Sequence, residues 1–266
     1  MQNDKEVLWS VADGIGRVTL NRPQRANAIS LAFSQALADA LNAVCDAVDA
    51  GRARTVLLDA VGDRFCAGGD IGEFVENADA MHRLIDDILA PLNPAMHRLA
   101  SLPVPVISAV NGAIGGAGIG LALCADVVLA SDAMKLRAGY SAIGLSPDAG
   151  ASYFLSRRVG ASKAKELFFF NPVLSAEDCL RLGIVNAVLP AGELAETAAK
   201  MAAQAASGAA RSMASIKRLC DGASARDLRD HLALEKEFLV ACSRTADAKE
   251  GVRAFAQKRA PKFGQA

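Results

Sequence analysis

Between Asn111 and Asp126 the chain reads NGAIGGAGIGLALCAD, with five glycines in its first ten positions and an apolar run after them. The segment follows LPVPVISAV, a β-branched apolar run ending at Val110. That run reads as a buried strand whose two prolines confine the hydrogen-bonded part to its second half. Strand, glycine turn and helix in this order is the layout of a dinucleotide site, but the spacing departs from it. Leu121 and Leu123 stand where a G-x-G-x-x-G begun at Gly116 or Gly118 needs glycine, and no G-x-x-x-x-G-K occurs. Two readings of the glycines stay open. They let a helix press closely on a neighbouring backbone, or they expose main-chain amides at Gly116 to Gly118 to a forming negative charge.

The rest of the chain extends the alternation. VLWSVADGIGRVTLNRP alternates and turns at Asp13-Gly14, as an antiparallel hairpin does. Ser30 caps a long helix carrying Leu31, Ala38, Leu41 and Val48. RTVLLDAVG (54–62) and DVVLAS (126–131) read as buried strands, and a helix from about Ala78 to Leu99 is interrupted by Pro91 and Pro94. Strands alternating with helices predict an α/β fold with parallel pairing. SAEDCLRLGIVNAVLP opens on the capping pattern Ser175 to Asp178, stops at Gly183 and returns as a strand. From Ala191 onward nearly everything is helical, so the chain divides into a core over 1–190 and a helical annex over 191–266. Such an annex packs against another subunit or covers its own core.

With 266 residues, 52% of them hydrophobic, the chain can bury a full core. Its formal net charge is zero, which gives no reason to expect nucleic acid or a charged membrane as partner. Six cysteines without CxxC spacing read as reduced thiols of a cytoplasmic protein. The first ten residues hold no apolar core of a signal peptide, and no stretch reaches 18 uncharged apolar residues. Three scattered histidines offer no metal site.

Three segments together resemble the enoyl-CoA hydratase/isomerase family, the crotonases: RFCAGGDI (64–71), AVNGAIGGAGIGLALCADVVLA (109–130) and AIGLSPDAGASYFLSRRVGASKAKEL (142–167). The opening VTLNRPQRANAIS and the closing EGVRAFAQKRAPKF match the family's ends, so the likeness spans almost the whole chain. It implies a crotonase-like spiral of β-β-α turns followed by a C-terminal helical region that supports trimers, often stacked as hexamers. It also implies an acyl-CoA thioester as substrate, with no cofactor beyond the coenzyme A that the substrate carries. Two backbone N–H groups would hold the thioester oxygen as an enolate forms, and by resemblance they are those of Ala67 and Ala117. Position 117 is usually glycine, but alanine keeps the N–H. The resemblance further assigns substrate contacts to Arg25 and Ala26, to Asp70 and Ile71, to Gly116 and Tyr140, and to Phe255 and Lys258.

The departures from the family bear on the reaction. The two glutamates with which its hydratases add water are Gly120 and Tyr140 here. Neither glycine nor a phenol of pKa near ~10 replaces a carboxylate at neutral pH. Asp148, in GLSPDAGASYF, stands where glycine is commoner. Aspartate there resembles the 1,2-epoxyphenylacetyl-CoA isomerase branch and other double-bond isomerases, in which a carboxylate moves a proton along the acyl chain. The dehalogenase branch also places an aspartate there, as a nucleophile, with an aromatic residue at the position of Tyr140. From the residues alone Asp148 reads equally as a helix cap after a Pro-Asp turn. The expected activity is therefore an enoyl-CoA double-bond or ring isomerase using Asp148. The alternatives are a hydratase with a non-standard base and a silent oligomer that binds CoA esters. His82 and His97 read as solvated residues, although the helix they lie on can border the acyl pocket in this family. His231 reads as structural, Cys66 as packing, Ser141 as a possible substrate contact, and Phe154 with Phe168 to Phe170 as core.

Overall fold

A computed structural model describes residues 5–264. The chain opens on the expected hairpin, β1 (Val7–Ala12) and β2 (Ile15–Leu20), turning through Asp13 and Gly14 at φ 51° and 74°. Two positive φ values in a row are the backbone that a two-residue hairpin turn requires. Then come α1 (Leu31–Asp49), β3 (Thr55–Ala60), β4 (Arg64–Cys66), α2 (Ile71–Glu76), α3 (Met81–Ala100), β5 (Val106–Val110), β6 (Ala113–Gly115) and α4 (Ala117–Leu123). β7 (Val127–Ser131), β8 (Lys135–Arg137), α5 (Ala151–Phe170), β9 (Leu174–Ser175), α6 (Ala176–Arg181) and β10 (Ala187–Leu189) complete the core. Four helices follow: α7 (Ala191–Ala206), α8 (Ala210–Gly222), α9 (Leu228–Ser243) and α10 (Ala246–Ala256).

Two sheets result, one in the order β1-β2-β3-β5-β7-β10 and one in the order β4-β6-β8-β9. From β3 onward the chain lays one strand in the larger sheet, the next in the smaller, and then a helix. β3 and β4 precede α2 and α3, β5 and β6 precede α4, and β7 and β8 precede α5. Along β2, β3, β5, β7 and β10 all pairing is parallel. This is the spiral of β-β-α turns that the resemblance implies.

β5 shows why its sequence is apolar throughout: all five residues are buried. Val106 and Val110 belong to the main core, while Ile107 and Ala109 turn to the other face and meet Leu194, Ala198 and Ala202 of α7. A strand covered on both faces has no solvent side on which to place polar residues. α7 thus covers the larger sheet, although it lies beyond the expected boundary at residue 190. Beyond it, Ala254 is the one buried residue within α8, α9 and α10. Leu228, Leu232, Leu239 and Val252 are exposed there. α8 is tied down by Lys217, whose ammonium lies 2.9 Å from the Asp126 carboxylate, which also accepts the Val106 N–H at 2.7 Å.

Two expectations are corrected. α3 runs unbroken through Pro91 and Pro94. Each proline removes the hydrogen bond to the carbonyl four residues earlier, but those carbonyls belong to Asp87 and Ala90, both exposed, where water can take the bond. Phe169 and Phe170 are not core: they are 65% and 78% exposed at the end of α5, while Phe168 is buried and Phe154 half-buried. Among the described residues no helix is long and apolar enough to cross a membrane.

Candidate active site

The site grows from the ends of β4 and β6, parallel neighbours in the smaller sheet. Three consecutive amides follow β4, and each has a different fate. The Ala67 N–H donates to the Ala26 carbonyl at 3.1 Å. The Gly68 N–H faces the Cys66 thiol. Gly69 forms a parallel bridge with Ile29, in which Ile29 N–H donates to the Gly68 carbonyl at 2.7 Å and Asp70 N–H to the Ile29 carbonyl at 3.0 Å. Because groups alternate in direction along an extended strand, the Gly69 N–H points away from Ile29, and among the described residues it meets no acceptor. The expectation for Ala67 is corrected accordingly. Its amide is committed to Ala26, and the amide left over on this loop is that of Gly69.

The second loop enters α4. Gly116 sits at φ 48° and ψ −132°, a backbone that only glycine adopts without strain. A Cβ built on Gly116 would stand 3.2 Å from Gly68 Cα and 3.9 Å from the Gly69 nitrogen, so the two loops touch backbone to backbone. Ala117 is the first residue of α4 and is 4% exposed; its N–H has no carbonyl one turn back to receive it. The packing reading of the glycines holds at two positions. Gly118 and Gly120 serve packing: a Cβ at 118 would meet the Cys66 carbonyl at 2.4 Å, and one at 120 the Ala149 carbonyl at 2.0 Å. Gly116 instead lets the Gly68–Gly69 loop and the start of α4 meet backbone to backbone.

Position 120 therefore has no space for a glutamate side chain. Position 140 is a buried tyrosine whose hydroxyl donates to Asp148 Oδ1 at 2.6 Å. Asp148 does not cap α5; Gly150 occupies the cap position. Burial holds the Asp148 carboxyl above its ordinary range, and the Tyr140 hydrogen bond partly opposes this. The Tyr140 phenol is pushed up by burial first and by the adjacent carboxylate second, so it stays protonated. Burial pushes the Cys66 thiol up to about 12, which leaves it a packing group.

Asp148 also borders a cavity of about 1140 Å³ between α3, α5 and α8, lined by Met96, Pro147 and Phe154 among others. Ala67, Gly116 and Ala117 are outside that lining. His97 is exposed at the cavity's edge and His82 is exposed on the same helix. His231 contacts Arg226 and Glu235 within the annex. Ser141 is bonded to the Phe168 carbonyl at 2.8 Å.

The residues expected to hold the substrate's handle are spread more widely. Arg25 is exposed, and the Ala26 carbonyl beside it supports Ala67. Asp70 is committed elsewhere: it pairs with Arg22 at 3.0 Å and caps α2 through the Gly72 and Glu73 amides. Ile71 is half-exposed on the first turn of α2. Phe255 is 89% exposed, and Lys258 is exposed just past the end of α10, away from the core. Sequence reasoning missed Gly69 because the pairing of its neighbours with Ile29 is not written in the motif.

The sequence profile of the family described as Enoyl-CoA hydratase/isomerase matches residues 10–266. The chain is 36% identical over 262 residues to the 1,2-epoxyphenylacetyl-CoA isomerase of Escherichia coli K12, covering 97% of each. It is 32% identical over 261 residues to a trans-2-decenoyl-acyl-carrier-protein isomerase of Streptococcus mutans, covering 97% of this chain and 98% of that protein. The crystal structure of an enoyl-CoA hydratase from Polaromonas sp. JS666 superposes with a TM-score of 0.87 at 33% identity, over 96% of this chain and 98% of that one.

Proposed function

Because this chain belongs to the enoyl-CoA hydratase/isomerase family, we propose that it isomerises the double bond of an enoyl-CoA thioester, with Asp148 carrying the proton. One observation supports this most. Where the two-glutamate apparatus would stand, position 120 is closed by the Ala149 carbonyl and position 140 is a tyrosine bonded to Asp148. The carboxylate that remains is Asp148, and a single carboxylate suits a reaction that removes and returns one proton.

In the proposed step the ionised Asp148 breaks a C–H bond of the acyl chain and takes the proton on oxygen. The bonding pair moves into the conjugated system, and negative charge collects on the thioester oxygen. The Gly69 and Ala117 amides receive that charge, each donor being worth about 3–4 kcal/mol of barrier. Asp148 then returns the proton two carbons along the chain, so the product has the composition of the substrate. A burial-raised pKa suits the carboxylate for trading a proton with an acidified carbon. The exposed apolar side of α9 and α10 is covered, on this reading, by further copies of the chain in a trimer or hexamer. The free thiols suit the reducing cytoplasm.

Mass spectrometry of products from straight-chain and aromatic enoyl-CoAs tests the reading. Wild type should yield products that separate from substrate by chromatography yet keep its mass, and Asp148→Asn should form them about 10²–10⁴-fold more slowly. A water adduct as the sole product would replace isomerisation with hydration. Full activity in Asp148→Asn would remove Asp148 from the reaction.

A further inference from the structure

We infer that Tyr140 is a positioning residue for Asp148: its hydroxyl fixes one carboxylate oxygen and so leaves the other as the atom that carries the proton. This inference rests on the role proposed above for Asp148. The phenol oxygen is gripped twice by one residue. It donates to Asp148 Oδ1 at 2.6 Å and lies 3.4 Å from the Asp148 main-chain N–H. A carboxylate on a half-buried loop would otherwise rotate about its last side-chain bond, where the torsional preference is broad. With Oδ1 held, rotation stops and Oδ2 has a defined direction.

The tyrosine is itself immobilised. Its ring is 7% exposed and packs on Phe168, with centroids 6.0 Å apart at a 55° tilt. Both flanking residues are tied to the end of α5. Gly139 N–H donates to Asn171 Oδ1 at 2.6 Å, Asn171 Nδ2 donates to Ser141 Oγ at 2.5 Å, and Ser141 O–H donates to the Phe168 carbonyl at 2.8 Å. Ser141, a candidate substrate contact from sequence, is spent on this clamp. The Tyr140 hydroxyl is likewise spent on Asp148, so its part in the reaction is exerted through that carboxylate.

A hydrogen bond donated to a carboxylate favours the ionised form, so the phenol works against the burial of Asp148. On the β4 side, burial and the Asp148 charge keep Cys66 a neutral thiol. Across the cavity stand His97, Arg157, Arg158 and the Asp126–Lys217 pair.

Tyr140→Phe keeps the ring and removes the hydroxyl. In the pH profile of kcat/KM, the acid-side midpoint should rise by about one unit, since a charge-assisted hydrogen bond to the ionised form is lost. At the pH optimum kcat should fall about tenfold while KM changes little. The double variant with Asp148→Asn should be no slower than Asp148→Asn alone, because the tyrosine acts through the aspartate. His97→Gln should leave the midpoint where it is, which assigns the titration to Asp148. Should Tyr140→Phe fold poorly, 3,5-difluorotyrosine at position 140 tests the same bond in the intact fold: a stronger donor should lower the midpoint. An unmoved midpoint in both Tyr140 variants, with Asp148→Asn inactive, overturns the positioning role alone. An active Asp148→Asn overturns the reading beneath it.

Discussion

Replacing Gly120 by alanine adds one methyl group at the point where α4 meets the loop carrying Asp148. An ideal Cβ there would stand 2.0 Å from the Ala149 carbonyl oxygen, 2.8 Å from its carbon and 3.0 Å from the Ala151 nitrogen. Side-chain carbons do not approach backbone closer than 3.0 Å, so one partner must retreat by about 1 Å. α4 cannot do so readily, because every one of its residues is buried and Gly118 already lies against Cys66. The loop is half-buried at Pro147, Asp148 and Gly150, on either side of buried Ala149, and gives way instead. Overpacking of this kind costs about 1–3 kcal/mol, and in a chain of this size about 2 kcal/mol lowers Tm by roughly 4–8 °C. The catalytic cost is separate. A misplacement of about 1 Å in a reacting group can lose about 10²-fold in rate, or about 2.7 kcal/mol of barrier. Steady-state turnover of an enoyl-CoA and calorimetric melting should therefore both fall in Gly120→Ala. Gly192→Ala is the control, since nothing lies within 4 Å of the new methyl, and it should leave turnover unchanged. A variant that melts lower yet turns over at the parent rate would refute the link between this loop and the chemistry. One that matches the parent in both would refute the packing argument as well.

Asp148→Asn should be more stable than the parent at pH 7, because burial raises the pKa of the aspartate in the folded state. The penalty for ionising it is absent below the unfolded value of about 3.9 and grows as pH rises through the folded value. The gap in Tm should thus close by about pH 4, and a gap independent of pH would show that charge is not its cause. Leu239→Asp places a carboxylate at a position 73% exposed in the protomer, so it should leave the protomer folded. Sedimentation should then find a species smaller than the parent's, and an unchanged mass would mean that α9 is not at an interface.

Local pattern carried much of the architecture. The Asp13-Gly14 turn, the Ser30 cap and the Ser175–Asp178 capping box each form as their short sequences require, because their partners lie within a few residues. The alternation of apolar runs and helices likewise leads to parallel pairing, since each run is too apolar to bear a solvent face. Asp148 was also legible, standing as a carboxylate where both customary glutamates are missing.

What remained hidden depends on contacts between distant segments. Three amides in a row at residues 67–69 are alike in sequence, and what separates them is a bridge to Ile29 and a bond to Ala26, some forty residues earlier. Phe168, Phe169 and Phe170 are chemically identical, yet only the direction each takes from α5 decides that the first is buried and the others are not. Tyr140 became legible as the partner of Asp148 only once the turn before it was clamped to the end of α5. The amino-acid sequence by itself determined the order of strands and helices, because backbone preference and apolar period act over a few residues. Which amide stays unpaired and which carboxylate oxygen is held were decided by tertiary structure alone. Hydrogen-bond groups are spent on whatever partner the folded chain brings within about 3 Å, and that choice is made in space.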